Sequence, residues 1–330
     1  MACQDKKGSI LRRALSVSFH NFWPGFTPQT SYFVRALEER FSVTVEPLGK
    51  DVQFFSVFGR TFPEEVLKSN AMKVWFTGEA QDPRDLIYDL YFNFSHNPLL
   101  GARSVRLPLW ATYIHWWDHD TPLSPERLIA PRQFIARPKF CNFMFSNPVS
   151  LRNEFFTRLH TRQHVDSHGK VLNNIGARAP DKMKALADYR FTIAFENFQS
   201  KGYVTEKLLE PLAAGSIPIY WGADECRTDF NPEAFIDASQ FESLDALVEH
   251  VLHVDKDMDQ QRALCEAPLF VSGIPYEMTP SYFSDRIEEA LDTPSMRGFG
   301  KESNVALAGR RHLRGRLRAS LAKLKRAIRL

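Results

Sequence analysis

Disulfide and metal chemistry have little to work with in this sequence. Four cysteines stand among 330 residues, Cys3, Cys141, Cys226 and Cys265. They contain no CxxC pair and frame no small secreted scaffold, so a reducing compartment is the simplest reading. Metal-ligand spacing is equally sparse. His115 is followed by Trp116 where a zinc hydrolase motif needs glutamate, and the four-residue spacing of His160, His164 and His168 is interrupted by Asp166, Ser167 and Gly169. Neither a bound metal nor a cofactor is expected. The chain also lacks a run of about 20 apolar residues able to cross a bilayer, and its first residues lack the apolar core of a signal peptide. A cytoplasmic location is expected.

Apolar material is nevertheless plentiful, at 44% of residues, in a length that fits one large or two medium domains. Leu15 to Phe19 alternates apolar and small residues as a strand does, and it leads into a loop carrying Trp23. Loops beyond the strands of open α/β sheets line ligand clefts, so Trp23 reads equally as a ring that stacks on a sugar and as plain packing. Residues 32–41 read as an amphipathic helix with Phe33, Leu37 and Phe41 on one face, and 43–45, 52–58 and 73–76 as strands. A helix is expected over 109–117. The prolines and arginines of 121–138 read as an interdomain linker, and 139–147 as the strand that opens a second domain. The expected division is 1–138, 139–291, and a linker with tail over 292–330.

The most informative stretch is Tyr189 to Phe235. Phe191 to Phe195 is a short apolar run fit for a buried strand, and it empties into polar residues from Glu196 to Ser200. From Thr205 the period becomes helical, with Leu208, Leu209, Leu212 and Ala213 on one face and Gly215 placed as a left-handed C-cap. Ile217 to Trp221 is a second apolar run, though Pro218 argues against a fully bonded central strand. Strand, loop, helix and strand make a βαβ unit, whose helix N-terminus favours phosphate. Glu206 and Lys207 stand in that first helical turn.

Four pieces of this block resemble the central motif of the α1,3/α1,4-fucosyltransferase family, bacterial type. They are Phe195-Glu196-Asn197, Tyr203-Val204-Thr205-Glu206-Lys207, the run from Pro218 to Gly222, and Asp229-Phe230-Asn231-Pro232. Upstream, Thr77-Gly78-Glu79 matches the family's TGE motif after a strand, and Arg152-Asn153 matches an Arg-Asn pair that opens a helix. The resemblance implies an α/β fold of two Rossmann-like lobes, the GT-B glycosyltransferase type. It also implies GDP-β-L-fucose as donor and inverting transfer to an N-acetylglucosamine-containing glycan, with α1,3 linkage. Glu79 is then the general base, because an acceptor hydroxyl is a poor nucleophile until a carboxylate takes its proton. Lys207 and Arg152 offset diphosphate charge, Asn197 and Tyr203 hydrogen-bond the donor, and Glu206 lies near the developing oxocarbenium ion. Glu196 reads either as a donor contact or as a structural group under the loop. Lys170 reads evenly as a phosphate contact and as an ordinary turn lysine, because Leu172 occupies the place where relatives carry a basic residue.

Nine of the 42 Lys and Arg fall in residues 310–330 with no acid beside them, leaving 33 against 39 acidic residues elsewhere. Leu313, Leu317, Leu321, Leu324 and Ile328 line one face of a helix there, the pattern of a basic amphipathic segment lying on an anionic membrane. Docking on the protein's own surface is the plainer reading, and nucleic acid is not expected as a partner because it leaves the apolar stripe unexplained. Two rival functions are an enzyme of the same architecture using another nucleotide sugar, and a non-catalytic adaptor acting through the tail.

Overall fold

The alternating run near the N-terminus forms β1 (Arg13–His20), the second strand of a six-stranded parallel sheet. The computed structural model describes residues 12–59, 61–81, 87–145, 147–176, 179–296 and 298. The basic tail over 310–330 lies outside the described residues. β1 is joined by β2 (Phe41–Val45), β3 (Val52–Phe55), β4 (Met72–Phe76), β5 (Leu90–Asn93) and β6 (Ser104–Arg106), in the order β2-β1-β3-β4-β5-β6. Every residue of β3 and β4 is buried, as expected of parallel strands covered on both faces.

One cover is the helix Tyr32–Glu38, capped by the Ser31 hydroxyl. It is shorter than its sequence period predicts. Glu39 and Arg40 bond back only three residues, to Ala36 and Leu37, and Phe41, Val43 and Val45 then alternate with polar residues as β2. Val66 and Leu67 pack on the opposite face, over Phe55 and Trp75, while a second helix on the first face comes from far along the chain. In the helix Pro280–Asp292 the Phe283 ring lies 4.6 Å from Phe92 and 5.7 Å from Tyr32, and the Ser284 hydroxyl donates to the Ala36 carbonyl.

The second sheet has five parallel strands, β7 (Lys139–Phe143), β8 (Val165–Ser167), β9 (Tyr189–Phe195), β10 (Ile217–Trp221) and β11 (Ile236–Asp237), in the order β11-β10-β9-β7-β8. Pro218 sits inside central strand β10, opposite Thr192, against the sequence-based expectation. The carbonyl of Trp221 accepts from Glu196 on the β9 side, so by the two-residue alternation of a strand Pro218 faces the opposite edge. There β11 pairs only with Ile219 and Tyr220, and the missing N–H interrupts no extended ladder.

The chain divides into one unit up to Arg106 and again from Thr279, and another over Leu107–Met278. The sequence-based boundaries at 138 and 291 differ from these for a physical reason. Within the second unit the buried Trp110 indole donates to Asp229 at 2.9 Å, and Arg132 and Arg137 donate to the carbonyls of Ala267 at 2.8 Å and Ala214 at 3.1 Å. The Pro- and Arg-rich stretch is thus tied down along its length. The helix expected over 109–117 is a single turn, Leu109–Thr112, because the Trp116 indole occupies the Ala111 carbonyl and His115 N–H goes instead to Leu123.

Both sheets share one topology. The first strand lies between the second and the third, so the direction of winding reverses between β1 and β3, and between β7 and β9. Ligands of open α/β sheets bind outside the carboxyl ends of the strands at such reversals.

Candidate active site

At the reversal in the second sheet, β9 ends at Phe195, and the N–H of Glu196 still donates to Trp221 at 2.8 Å. The Glu196 side chain has no exposed surface. Its carboxylate accepts from Thr205 N and Oγ1, both at 2.8 Å, from the Tyr220 hydroxyl at 3.3 Å and from Lys207 Nζ at 3.1 Å. Gly222 belongs to the same knot, because a Cβ there would stand 2.8 Å from Glu196 Cγ. Burial pushes the Glu196 carboxyl above the usual carboxylate range, with the Lys207 ammonium offsetting only part of that rise.

Thr205 also caps the helix Glu206–Ala214, whose far end is closed by Gly215 at φ 76° as the sequence leads one to expect. Lys207 Nζ lies 3.0 Å from Thr205 Oγ1 and 3.5 Å from Glu206 Oε1. Burial works to lower the Lys207 ammonium pKa, but the Glu196 and Glu206 carboxylates outweigh it and hold the group above the ordinary lysine range. For Glu206 burial raises the carboxyl pKa, and Lys207 together with Lys182 reverses this, leaving it below the ordinary value. The helix N-terminus therefore presents a fixed ammonium beside an ionised carboxylate. Lys207 and Glu206 keep 25% and 16% of their side-chain surface, enough to meet a ligand.

Three further residues considered for the donor lie deeper than Lys207 and Glu206. Arg152, in the helix Ser150–Arg162, is 2% exposed. Its guanidinium donates to the Phe195 carbonyl through Nε at 2.9 Å and through Nη2, and to the Asn147 carbonyl at 3.5 Å. It staples the loop after β7 to the end of β9, across the reversal. Glu196 is the structural group under the loop, since a carboxylate with no exposed surface meets no ligand directly. Tyr203 is likewise only 2% exposed, its ring 6.2 Å from Phe198.

Asn197 remains half-buried at the strand end. Lys170 is exposed in the turn after β8, and among the described residues its ammonium makes no hydrogen bond or ion pair. In that turn Leu172 adopts a positive φ of 55°, taking by strain the conformation that glycine adopts freely. Sequence reasoning missed Tyr220 and Thr205 as partners of Glu196, and Glu225, which accepts from Gly202 N at 2.8 Å and pins the connecting loop. Only Thr205 carried a signal, as a threonine just before a helical period.

In the first unit, Glu79 follows β4 on a short turn. The Thr77 hydroxyl accepts from Glu79 N at 3.0 Å and donates to Glu79 O at 2.6 Å, which fixes the backbone of a half-buried carboxylate at a strand end. Trp23, in the loop after β1, is 36% exposed and packs edge-on against Phe26 at 4.8 Å. Among the described residues no group of three or more His, Cys, Asp or Glu is placed to share a metal ion, and no helix is long and apolar enough to cross a membrane.

Comparison with known proteins bears on both units. The family described as "Alpha-(1,3)-fucosyltransferase FucT N-terminal domain" matches residues 17–113, and "Glycosyltransferase family 10 (fucosyltransferase) C-term" matches 134–264. The chain is 28% identical to the alpha-(1,3)-fucosyltransferase FucT of Helicobacter pylori over 77% of this chain and 60% of that protein. It is 27% identical to a putative fucosyltransferase of Acanthamoeba polyphaga mimivirus over 53% of this chain and 29% of that protein. It thus spans less than two thirds of either relative. A crystal structure of an alpha1,3-fucosyltransferase with GDP-fucose superposes with a TM-score of 0.71 at 23% identity, over 89% of this chain and 95% of that one, and shares its two-lobed GT-B fold. With the two family matches lying end to end over the two parallel sheets, the chain belongs to the glycosyltransferase family 10 fucosyltransferases.

Proposed function

We propose that this chain transfers L-fucose from GDP-β-L-fucose to a hydroxyl of an N-acetylglucosamine-containing glycan, with inversion and α1,3 linkage. The observation that carries the reading is the Glu206–Lys207 pair at a helix N-terminus, held from below by Glu196 at the reversal of the second sheet. A diphosphate is met there by an ammonium and by helix N–H groups, whose partial positive charge grows in value as the leaving group becomes more anionic. Asn197, which follows Glu196 at the end of β9, serves as a donor contact, and the ionised Glu206 offsets positive charge developing on the sugar. Glu79 takes the proton of the attacking hydroxyl, which permits direct displacement at the anomeric carbon. The names of the Helicobacter pylori relative and of the solved structure with GDP-fucose support donor and linkage. With the Lys207 ammonium and the helix N–H groups on the diphosphate, the reading calls for no bound metal.

The test is to incubate the full chain with GDP-fucose, UDP- or CMP-sugars and N-acetyllactosamine, and to assign product linkage and anomeric configuration by NMR. Consumption of a UDP- or CMP-sugar with GDP-fucose untouched would sink the donor assignment. A β-fucoside would sink inversion.

The tail over 310–330 belongs to the same reading as an anchor on the anionic inner face of the cytoplasmic membrane, close to lipid-linked acceptors. Its support is the cationic, apolar-striped sequence alone. Truncation after Gly309 should abolish cosedimentation with anionic vesicles and leave transfer to soluble acceptors in place; equal cosedimentation of the two forms rules the anchor out.

A further inference from the structure

The winding reversal of the first sheet lies between β1 and β3, and the loops that leave those strands are locked together. Ser56 N and Phe58 N donate to the carbonyls of His20 at 3.0 Å and Asn21 at 2.9 Å, continuing the pairing beyond the strand ends. Asn21 holds a positive φ of 57°, a conformation uncommon for a non-glycine residue and concentrated at functional sites. Its amide reaches the Thr61 carbonyl at 3.4 Å and lies so close to Gly59 that any side chain there would collide with it.

This lock sets two rings side by side in water. Trp23 and Phe58 are 36% and 44% exposed, with centroids 6.2 Å apart and planes at 76°, so they form the two walls of a corner. Single exposed apolar residues are ordinary; here two rings stand adjacent at a sheet reversal, each with a third or more of its surface open. The neighbouring strand connects the corner to chemistry. Phe22, next to Trp23, stacks on Phe76 at 6.4 Å, and Phe76 is the last residue of β4, just before Thr77-Gly78-Glu79.

We infer that Trp23 and Phe58 together form the subsite that receives the acceptor, with the apolar C–H face of a pyranose ring lying in the corner and a hydroxyl directed toward the Glu79 turn. The inference rests on the glycosyl-transfer reading above and names a residue, Phe58, that no motif marks. The occupant is a sugar rather than a protein, because two rings make a platform of about one monosaccharide, far below the roughly 800 Å² per partner of a stable protein interface. Aromatic faces suit it because a pyranose offers both an apolar face and hydroxyls that remain hydrated at the rim.

The test uses the full chain with W23A, F58A and the conservative W23F and F58Y. Each alanine variant should raise the KM for N-acetyllactosamine about tenfold, with kcat falling less than KM rises and with GDP-fucose Kd and thermal midpoint unchanged. The aromatic replacements should restore most of the loss. An unchanged acceptor KM, or a fall in thermal midpoint that tracks the loss, overturns the subsite. Fluorescence keeps this outcome apart from failure of the transfer reading. Quenching by N-acetyllactosamine without donor, present in the wild type and absent in W23F, supports the corner even if GDP-fucose proves not to be the donor, and no quenching difference counts against it.

Discussion

The two sheets reverse their winding in the same way, yet the groups at the two reversals are of opposite character. Beyond β7 and β9 stand Glu196, Thr205, Lys207 and Arg152, charged or polar, largely buried and bonded to one another or to strand-end carbonyls. Beyond β1 and β3 stand Trp23 and Phe58, apolar and open to water, above a lock made mainly of backbone bonds. The difference follows from what each kind of group requires. A buried charge is tolerable only with partners fixed around it, so Glu196, Thr205 and Lys207 sit close in sequence on one βαβ unit, and Arg152 reaches in from the helix after β7 to bond the strand end. A ring needs only a rigid place to stand, so the aromatic site draws on loops 35 positions apart in the sequence.

If that contrast is functional, damage at one reversal should spare the ligand of the other. The largest effect is expected from Glu79→Gln, which should lower turnover by roughly 10² to 10⁴ while GDP affinity stays intact. Near-normal steady-state turnover would remove Glu79 from the role of base.

Lys207→Ala should weaken GDP-fucose binding and slow transfer together, by about 10² in kcat/KM. Calorimetry showing unchanged GDP affinity would break the assignment of the second reversal to the donor. The same variant leaves Glu196 buried without its cation, and it carries a pH signature. The Glu196 carboxyl already sits above its ordinary range, so its ionised form disfavours the folded state. Removing Lys207 raises it further, and the stability deficit at neutral pH should shrink as pH falls from the folded-state value toward the unfolded one. A deficit independent of pH in thermal melts contradicts this.

Glu196→Gln is expected to act more gently, because it removes a buried charge along with its pairing. Folded-state Lys207 is raised above its unfolded value, so the pair contributes in full below the unfolded lysine pKa and is lost as pH rises through the folded one. Without Glu196 the alkaline loss of GDP affinity should begin at lower pH. An alkaline limb that does not move would mean that Glu196 does not hold the ammonium.

The smallest effects come from a matched pair. Gly222→Ala presses on Glu196 and Tyr220, and Gly59→Ala on Asn21, each costing about 1 to 3 kcal/mol as overpacking usually does. The first should lower GDP affinity and the second should raise only acceptor KM. If both move the same parameter, the two reversals do not divide donor from acceptor.

Much of the donor side was readable from the chain because its determinants are local. The apolar run of Phe191 to Phe195, the helical period that starts at Thr205 and the left-handed glycine at 215 are each set by residues close in sequence, and all three appear where expected. Glu79 was readable only through its motif. Phe58 was not readable at all, since nothing in its own neighbourhood distinguishes an exposed ring from a strand residue. The expected strand over 52–58 in fact stops at Phe55.

The sequence by itself determined the βαβ unit, its phosphate-favouring helix start and the place of Glu206 and Lys207 in that first turn, because propensity and period operate over less than a helical turn or two. Tertiary structure alone decided which polar groups keep exposed surface and which are buried. Arg152 and Glu196 have the same residue types and motif context as surface contacts, and they became a staple and a buried anchor because Phe195, Asn147 and Tyr220 close over them from other strands and loops. Pro218 likewise entered a central strand because β11 is only two residues long on that edge. Burial and edge pairing are set by neighbours distant in sequence, and no local pattern carries that information.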